Sequence, residues 1–157
     1  MKKEVLSVYV DNKANVLSRV VSLYGRRGFN IDSLTVSATN DPGISRITIV
    51  FEGDNLTLHQ IVAQTEKLEV VRSIKTLDGS KSFFRELLMI KVKADQSKRR
   101  EIKEIVDIFR AKIINLTKEE MVLELTGAPE KLDAFLDLIE DYEIVDICRT
   151  GVTGIEK

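Results

Sequence analysis

The chain has 157 residues, 43% of them hydrophobic, with 24 Lys and Arg against 25 Asp and Glu and a formal net charge of −1. Balanced charge supplies no whole-molecule field that draws in nucleic acid or an anionic membrane, and the lone Cys148 excludes an intrachain disulfide and a CxxC metal site. No apolar run reaches the roughly 18 residues a membrane span needs, and Met1-Lys2-Lys3-Glu4 leads straight into a strand pattern without a signal segment, so a cytoplasmic protein is expected.

Residues 4–10 alternate Leu6, Val8 and Val10 on one face and predict a strand. Residues 11–15, rich in Asn and Asp, break it, and Val16, Val20 and Leu23 then recur at helical spacing up to Gly28, which suits a left-handed stop. From Asn30 the period becomes two, with Leu34, Val36 and Ala38 on one face and Ser33, Thr35, Ser37 and Thr39 on the other. Asp41-Pro42-Gly43 predicts a turn and 44–52 a strand. Thr57 with Gln60 has the spacing of a capping box, opening a helix that carries Leu58, Ile61, Val62, Thr65 and Leu68. A strand at 69–76 closes this first unit, and the polar run 78–82 predicts a linker.

The same order then repeats: a strand at 83–93, a helix near 97–111, strands at 112–117 and 121–126, a helix opening at Pro129, a strand at 143–149, and a loose tail around Gly151 and Gly154. Two βαββαβ units imply an α+β protein of two tandem ferredoxin-like sandwiches, 1–77 and 82–157. In that topology the strand at 30–39 lies on a sheet edge, decorated with Ser and Thr rather than blunted by Lys or Pro, and such an edge predicts a homodimer.

No catalytic constellation accompanies this fold. His59, the only histidine, lacks a nucleophile motif and reads as a solvated helix residue; Cys148, between Ile147 and Arg149, reads as a core thiol. Glycine-rich phosphate loops and HExxH are absent from the sequence, and the few strand aromatics, Tyr9 and Phe51, do not make an RNA-stacking platform. What remains is the loop 11–15 with Asn30. Asn12, Asn15 and Asn30 offer amide groups for the carboxylate and ammonium of a free amino acid, beside a helix start and the apolar Val16, Leu34 and Val36. On periodicity alone, simple capping and turning by these Asn residues stays an open alternative.

The stretch NVLSRVVSLYGRRGFNIDSLTV (15–36) resembles the start of the regulatory (small) subunit of acetohydroxyacid synthase, also called acetolactate synthase. DPGISRITIV at 41–50, RELLMIKV at 85–92, IFRAKIINLT at 108–117, GAPEKLDAFLDLI at 127–139 and RTGVTGI at 149–155 extend the resemblance over the whole chain. It implies an amino-acid-sensing ACT domain at 1–77, which binds the effector and dimerises, and an ACT-like ferredoxin-like domain at 82–157. It further implies a subunit without catalysis of its own. Such a subunit activates the catalytic large subunit, to which thiamine diphosphate, Mg²⁺ and FAD belong, and confers feedback inhibition by valine or another branched-chain amino acid. Carried over by position, the effector residues are Asn12, Asn15, Val16 and Asn30, with Leu34, Val36 and Ser37 nearby. Asn15 departs from the family's usual Gly, at a place where a positive φ or close backbone approach is expected. The alternative output is an ACT-type sensor for another enzyme or a transcription factor, although no helix-turn-helix segment is left over.

Overall fold

The computed structural model describes residues 2–157. Its elements are β1 (Lys2–Asp11), α1 (Val16–Arg26), β2 (Ile31–Ala38), β3 (Ile44–Gly53), α2 (Asn55–Glu66), β4 (Val71–Thr76), β5 (Ser82–Lys93), α3 (Gln96–Phe109), β6 (Lys112–Leu116), β7 (Glu120–Gly127), α4 (Pro129–Ile139), β8 (Ile144–Arg149) and β9 (Thr153–Glu156). The first antiparallel sheet has the order β2-β3-β1-β4; the second repeats it as β6-β7-β5-β8, with β9 paired to β5. Two sheets of matching order, each with two helices, are the α+β ferredoxin-like repeat that the sequence predicts.

The chain divides into two compact units, one running up to Phe83 and including Val152–Lys157, the other Phe84–Gly151. In the first, Leu6, Val8 and Val10 of β1 and Ile47, Ile49 and Phe51 of β3 meet Val16, Val20, Leu23 and Tyr24 of α1 and Ile61 of α2. Thr65 is buried in this core because its Oγ1 donates to Ile61 O and shares a 3.0 Å hydrogen bond with Tyr24 Oη, tying α2 to α1. Burial pushes the Tyr24 hydroxyl above its ordinary pKa. In the second unit Leu88, Ile90, Val92, Leu123 and Leu125 pack on Ile102, Val106, Leu132, Phe135 and Ile139.

Three local expectations are corrected. α2 opens at Asn55, not at a Thr57 capping box: Asp54 is the N-cap and its carboxylate accepts from Thr57 N at 2.7 Å, which makes Thr57 the third helical residue. Cys148 is exposed rather than a core thiol. It stands opposite Met89 on edge strand β8, while the neighbouring Leu88 and Ile90 face the core. The stretch around Gly151 and Gly154 is not a loose tail. Residues 152–157, which the sequence assigns to the second unit, group with the first and contain β9. Val152 N donates to Ser33 Oγ, Thr35 Oγ1 donates to Val152 O, Arg46 donates to Gly154 O, and Lys75 Nζ lies 3.1 Å from Glu156.

The helix stops differ between the repeats. Gly28 (φ 72) ends α1 with Gly28 N bonded to Gly25 O and Phe29 N to Tyr24 O, the paired bonds of a Schellman turn. α3 makes the same two bonds, from Arg110 N to Asp107 O and Ala111 N to Val106 O, with Arg110 at φ 57. A Cβ at Gly28 would meet no atom within 4 Å, so only the backbone conformation resists substitution there. Gly28→Ala is therefore expected to destabilise the chain by about 1 kcal/mol and Arg110→Gly to stabilise it by a similar amount. Denaturant unfolding of the two variants checks the opposite signs.

Candidate functional site

The loop between β1 and α1 is held from three sides. Asp11 N donates to Val70 O at 2.9 Å, and the Asp11 carboxylate pairs with Arg72 Nε at 2.5 Å. Asn12 N donates to Gly43 O and Asn12 Nδ2 to Pro42 O at 3.0 Å, so this side chain is committed to the β2–β3 turn. Asn15, the residue before α1, has φ 69 and ψ 0, and no side chain caps the helix. The positive φ expected from the family's glycine is thus present with Asn in its place. Asn bears this conformation more easily than other residues with a Cβ. No side chain caps the first N–H groups of α1, and its first turn carries no acidic residue to meet the positive end of the dipole.

Two surface hollows of about 450 and 350 Å³ share Asn15, Arg19, Glu69 and Val70; the smaller also touches Asp11, Lys13 and Val16. Arg19, Glu69 and Val70 line both hollows without any local sequence pattern that marks them. Their signal is tertiary: β4 pairs with β1, with Val10 opposite Val71, which brings the end of the α2–β4 loop beside Asp11. Val16 is 4% exposed and serves the core, so its side chain offers little open surface within one chain.

Asn30 lies elsewhere. Ile31 pairs with Phe51, which pairs with Glu4 near the beginning of β1; Ala38 pairs with Ser45, opposite Val10 near its end. At roughly 3.3 Å per residue, about 23 Å of strand separates Ile31 from Ala38. Asn12, Asn15 and Val16 therefore gather at one end of the sheet, with Val36 and Ser37 on the nearby end of β2, and Asn30 stands at the other end, exposed. Leu34 packs onto the core and Val36 is 44% exposed. A single chain does not bring all the candidate residues together.

The second unit has the same loop with different chemistry. Asp95 precedes α3 in an extended conformation and its carboxylate accepts from Ser97 N and Lys98 N, both at 3.0 Å. The place left open before α1 is filled here by the chain's own carboxylate.

His59 is exposed on α2, with Nδ1 2.6 Å from Asn55 O of its own helix, an arrangement without a nucleophile. Among the described residues no group of His, Cys, Asp and Glu is placed to hold a metal ion, and no helix is long and apolar enough to cross a membrane.

Residues 6–73 match the family model for the AHAS small subunit-like ACT domain, and residues 85–157 match that for the small subunit of acetolactate synthase. The chain is 43% identical to a probable acetolactate synthase small subunit of Archaeoglobus fulgidus, over 99% of this chain and 97% of the relative. It is 45% identical to the acetolactate synthase small subunit of Mycolicibacterium smegmatis, over 97% and 89%. The crystal structure of the acetolactate synthase small subunit from Thermotoga maritima superposes with a TM-score of 0.91 at 37% identity, covering 100% of this chain and 98% of that one.

The Asp95 cap carries a pH dependence. Hydrogen bonds from the Ser97 side chain and from Lys98 N–H hold the Asp95 carboxyl below the usual carboxylate range. A carboxyl depressed in the folded state adds stability above its unfolded pKa of about 4, and that stability is lost as the pH falls through the folded value. Asp95→Asn keeps an acceptor but removes the titration. The stability gap between wild type and Asp95→Asn, measured by urea unfolding, is expected to close as the pH falls below about 4.

Proposed function

The chain belongs to the acetolactate synthase small-subunit family, and from that premise we propose that it is a non-catalytic regulatory subunit that binds and activates an acetolactate synthase catalytic subunit and makes it sensitive to valine. The observation that carries the effector reading is the uncapped start of α1 behind Asn15, set against the Asp95 carboxylate at the same place in the second unit. An amino acid's carboxylate fits the first position and is excluded by the second.

The rest of the site comes from a second copy. β2 is an edge strand carrying Ser and Thr side chains and one acid, Asp32, whereas the opposite edge, β4, carries Arg72 and Lys75. β2 is the edge less protected against pairing. Antiparallel pairing of β2 with its own copy about a two-fold axis sets the beginning of one strand beside the end of the other. That brings Asn30 of one copy towards the Asn12–Val16 loop, Val36 and Ser37 of its partner, closing the gap that one chain leaves open. The Asn30 amide oxygen then accepts from the ligand's ammonium, and the exposed part of Val36 meets its isopropyl group.

A molecule as small as valine, at roughly 0.3 to 1.5 kcal/mol per non-hydrogen atom, binds in the micromolar to millimolar range, as a metabolite sensor requires. Because it touches both copies, its binding energy biases their arrangement, and only such differential affinity can alter the activity of an attached enzyme. The cofactors of the synthase reaction sit in the catalytic subunit in this reading, and the complex is cytoplasmic.

Asn30→Ala is expected to leave activation of the catalytic subunit intact while raising the valine concentration for half-inhibition at least about tenfold, the loss of one charge-assisted hydrogen bond. Unchanged inhibition in a reconstituted assay would remove Asn30 from the site. Sedimentation at micromolar concentration is expected to show a dimer, and a monomer would remove the β2 pairing.

A further inference from the structure

The face of the first sheet turned away from α1 and α2 carries a further, separate hollow. Leu6 and Val8 point to the core, so Ser7 and Tyr9 of β1 point the other way, with Arg46 of β3 (opposite Tyr9) and Lys75 of β4 (opposite Ser7). Together with Leu77, Ile155, Glu156 and Lys157 they line a pocket of about 300 Å³. Every one of these residues belongs to the first unit.

Its charges do not balance. Lys75 is paired with Glu156 at 3.1 Å. Arg46 and Lys157 have neutral partners instead: Arg46 Nη2 donates to Gly154 O with the guanidinium over the Tyr9 ring, and Lys157 Nζ donates to Ser80 O beside the Phe83 ring. Neither Arg46 nor Lys157 forms an ion pair among the described residues, although Glu156 lines the same hollow. Two buried donors at the same place are also unsatisfied. Arg46 Nε has no hydrogen-bond partner, and neither has the hydroxyl of Ser7, a residue 1% exposed. An unmade hydrogen bond at a buried donor costs about 1 to 3 kcal/mol, so a pair of them beside two cations without an ion-pair partner marks a place for an acceptor.

We propose that this pocket binds a phosphate group, with Arg46 Nε, Lys157 Nζ and Ser7 Oγ donating to its oxygens. Three donors arriving from β1, β3 and the C-terminal segment suit a tetrahedral dianion, which offers acceptors in several directions; a planar monocarboxylate offers two oxygens and one charge. The volume exceeds what a bare phosphate fills, so free phosphate and the phosphate of a small monoester are both possible sources. The site is independent of the valine reading, since it shares no residue with it. A bound phosphate also tethers residues 155–157 to β1 and β3, which stabilises the covered sheet face.

The test uses the full chain at constant ionic strength set with sodium chloride. Inorganic phosphate, glycerol 3-phosphate and acetate are titrated in turn, following the melting temperature and the backbone amide NMR shifts. A saturable rise in melting temperature with shifts at Ser7, Arg46 and Glu156 is expected for phosphate or its monoester and not for acetate; the tighter of the two identifies the source. Lys157→Gln, at an exposed position, is expected to weaken binding roughly tenfold, and Arg46→Gln to abolish it. If Arg46→Gln fails to fold, Lys157→Gln decides alone. Absence of saturation, an equal response to acetate, shifts confined to other residues, or unchanged affinity in Lys157→Gln would each overturn the proposal.

Discussion

β3 takes one of the two rows of backbone hydrogen-bonding groups on β2, and the order β2-β3-β1-β4 leaves the other row without a strand. That edge decides where the candidate effector residues stand. Because β2 crosses the full width of the sheet, Asn30 at its start and Val36 and Ser37 towards its end cannot serve one ligand within one molecule. The proposed two-fold pairing converts this separation into an advantage, since each end of β2 then meets the other end of a second copy. In that proposal sensing and dimerisation are one event, and the energy of a small ligand acts on the arrangement of two chains rather than on a single loop.

The two repeats show how one fold separates structure from function. Both have the same strand order and end their first helix with the same paired bonds. They part company at the helix start. Asp95 satisfies α3 from within the chain, which stabilises that helix and leaves its N-terminus closed to an anion. Asn15 holds a left-handed conformation and caps nothing, so the first unit forgoes a few tenths to about 2 kcal/mol of helix stability at the place where the proposal seats the effector's carboxylate. The difference between the units is chemical rather than topological.

Much of this was legible in the chain because it depends on local periodicity. The Leu6-Val8-Val10 alternation, the Val16-Val20-Leu23 stripe and Gly28 as a stop are short-range patterns, and the structure places each as expected. Features set by distant partners were not legible. Residues 152–157 look like a glycine-punctuated tail, and their order depends on Ser33, Thr35 and Arg46, more than a hundred residues earlier. Nothing local marks Arg19, which the β1–β4 pairing sets beside Glu69 and Val70. Cys148 follows Ile147 in a mixed apolar and charged segment whose pattern does not reveal that β8 is an edge strand. Thr57 has the residue type and spacing of a helix start, and only the hydrogen bond that the Asp54 carboxylate accepts from its N–H shows that the cap lies three residues earlier.

The proposed division of the effector site between two copies is most directly tested by the crystal structure of the chain saturated with valine. The account predicts two copies joined along β2, the ligand's carboxylate at the first N–H groups of α1 in one copy, and its ammonium on Asn30 of the other. Valine held wholly within one protomer, or copies joined elsewhere with β2 uncovered, would contradict it.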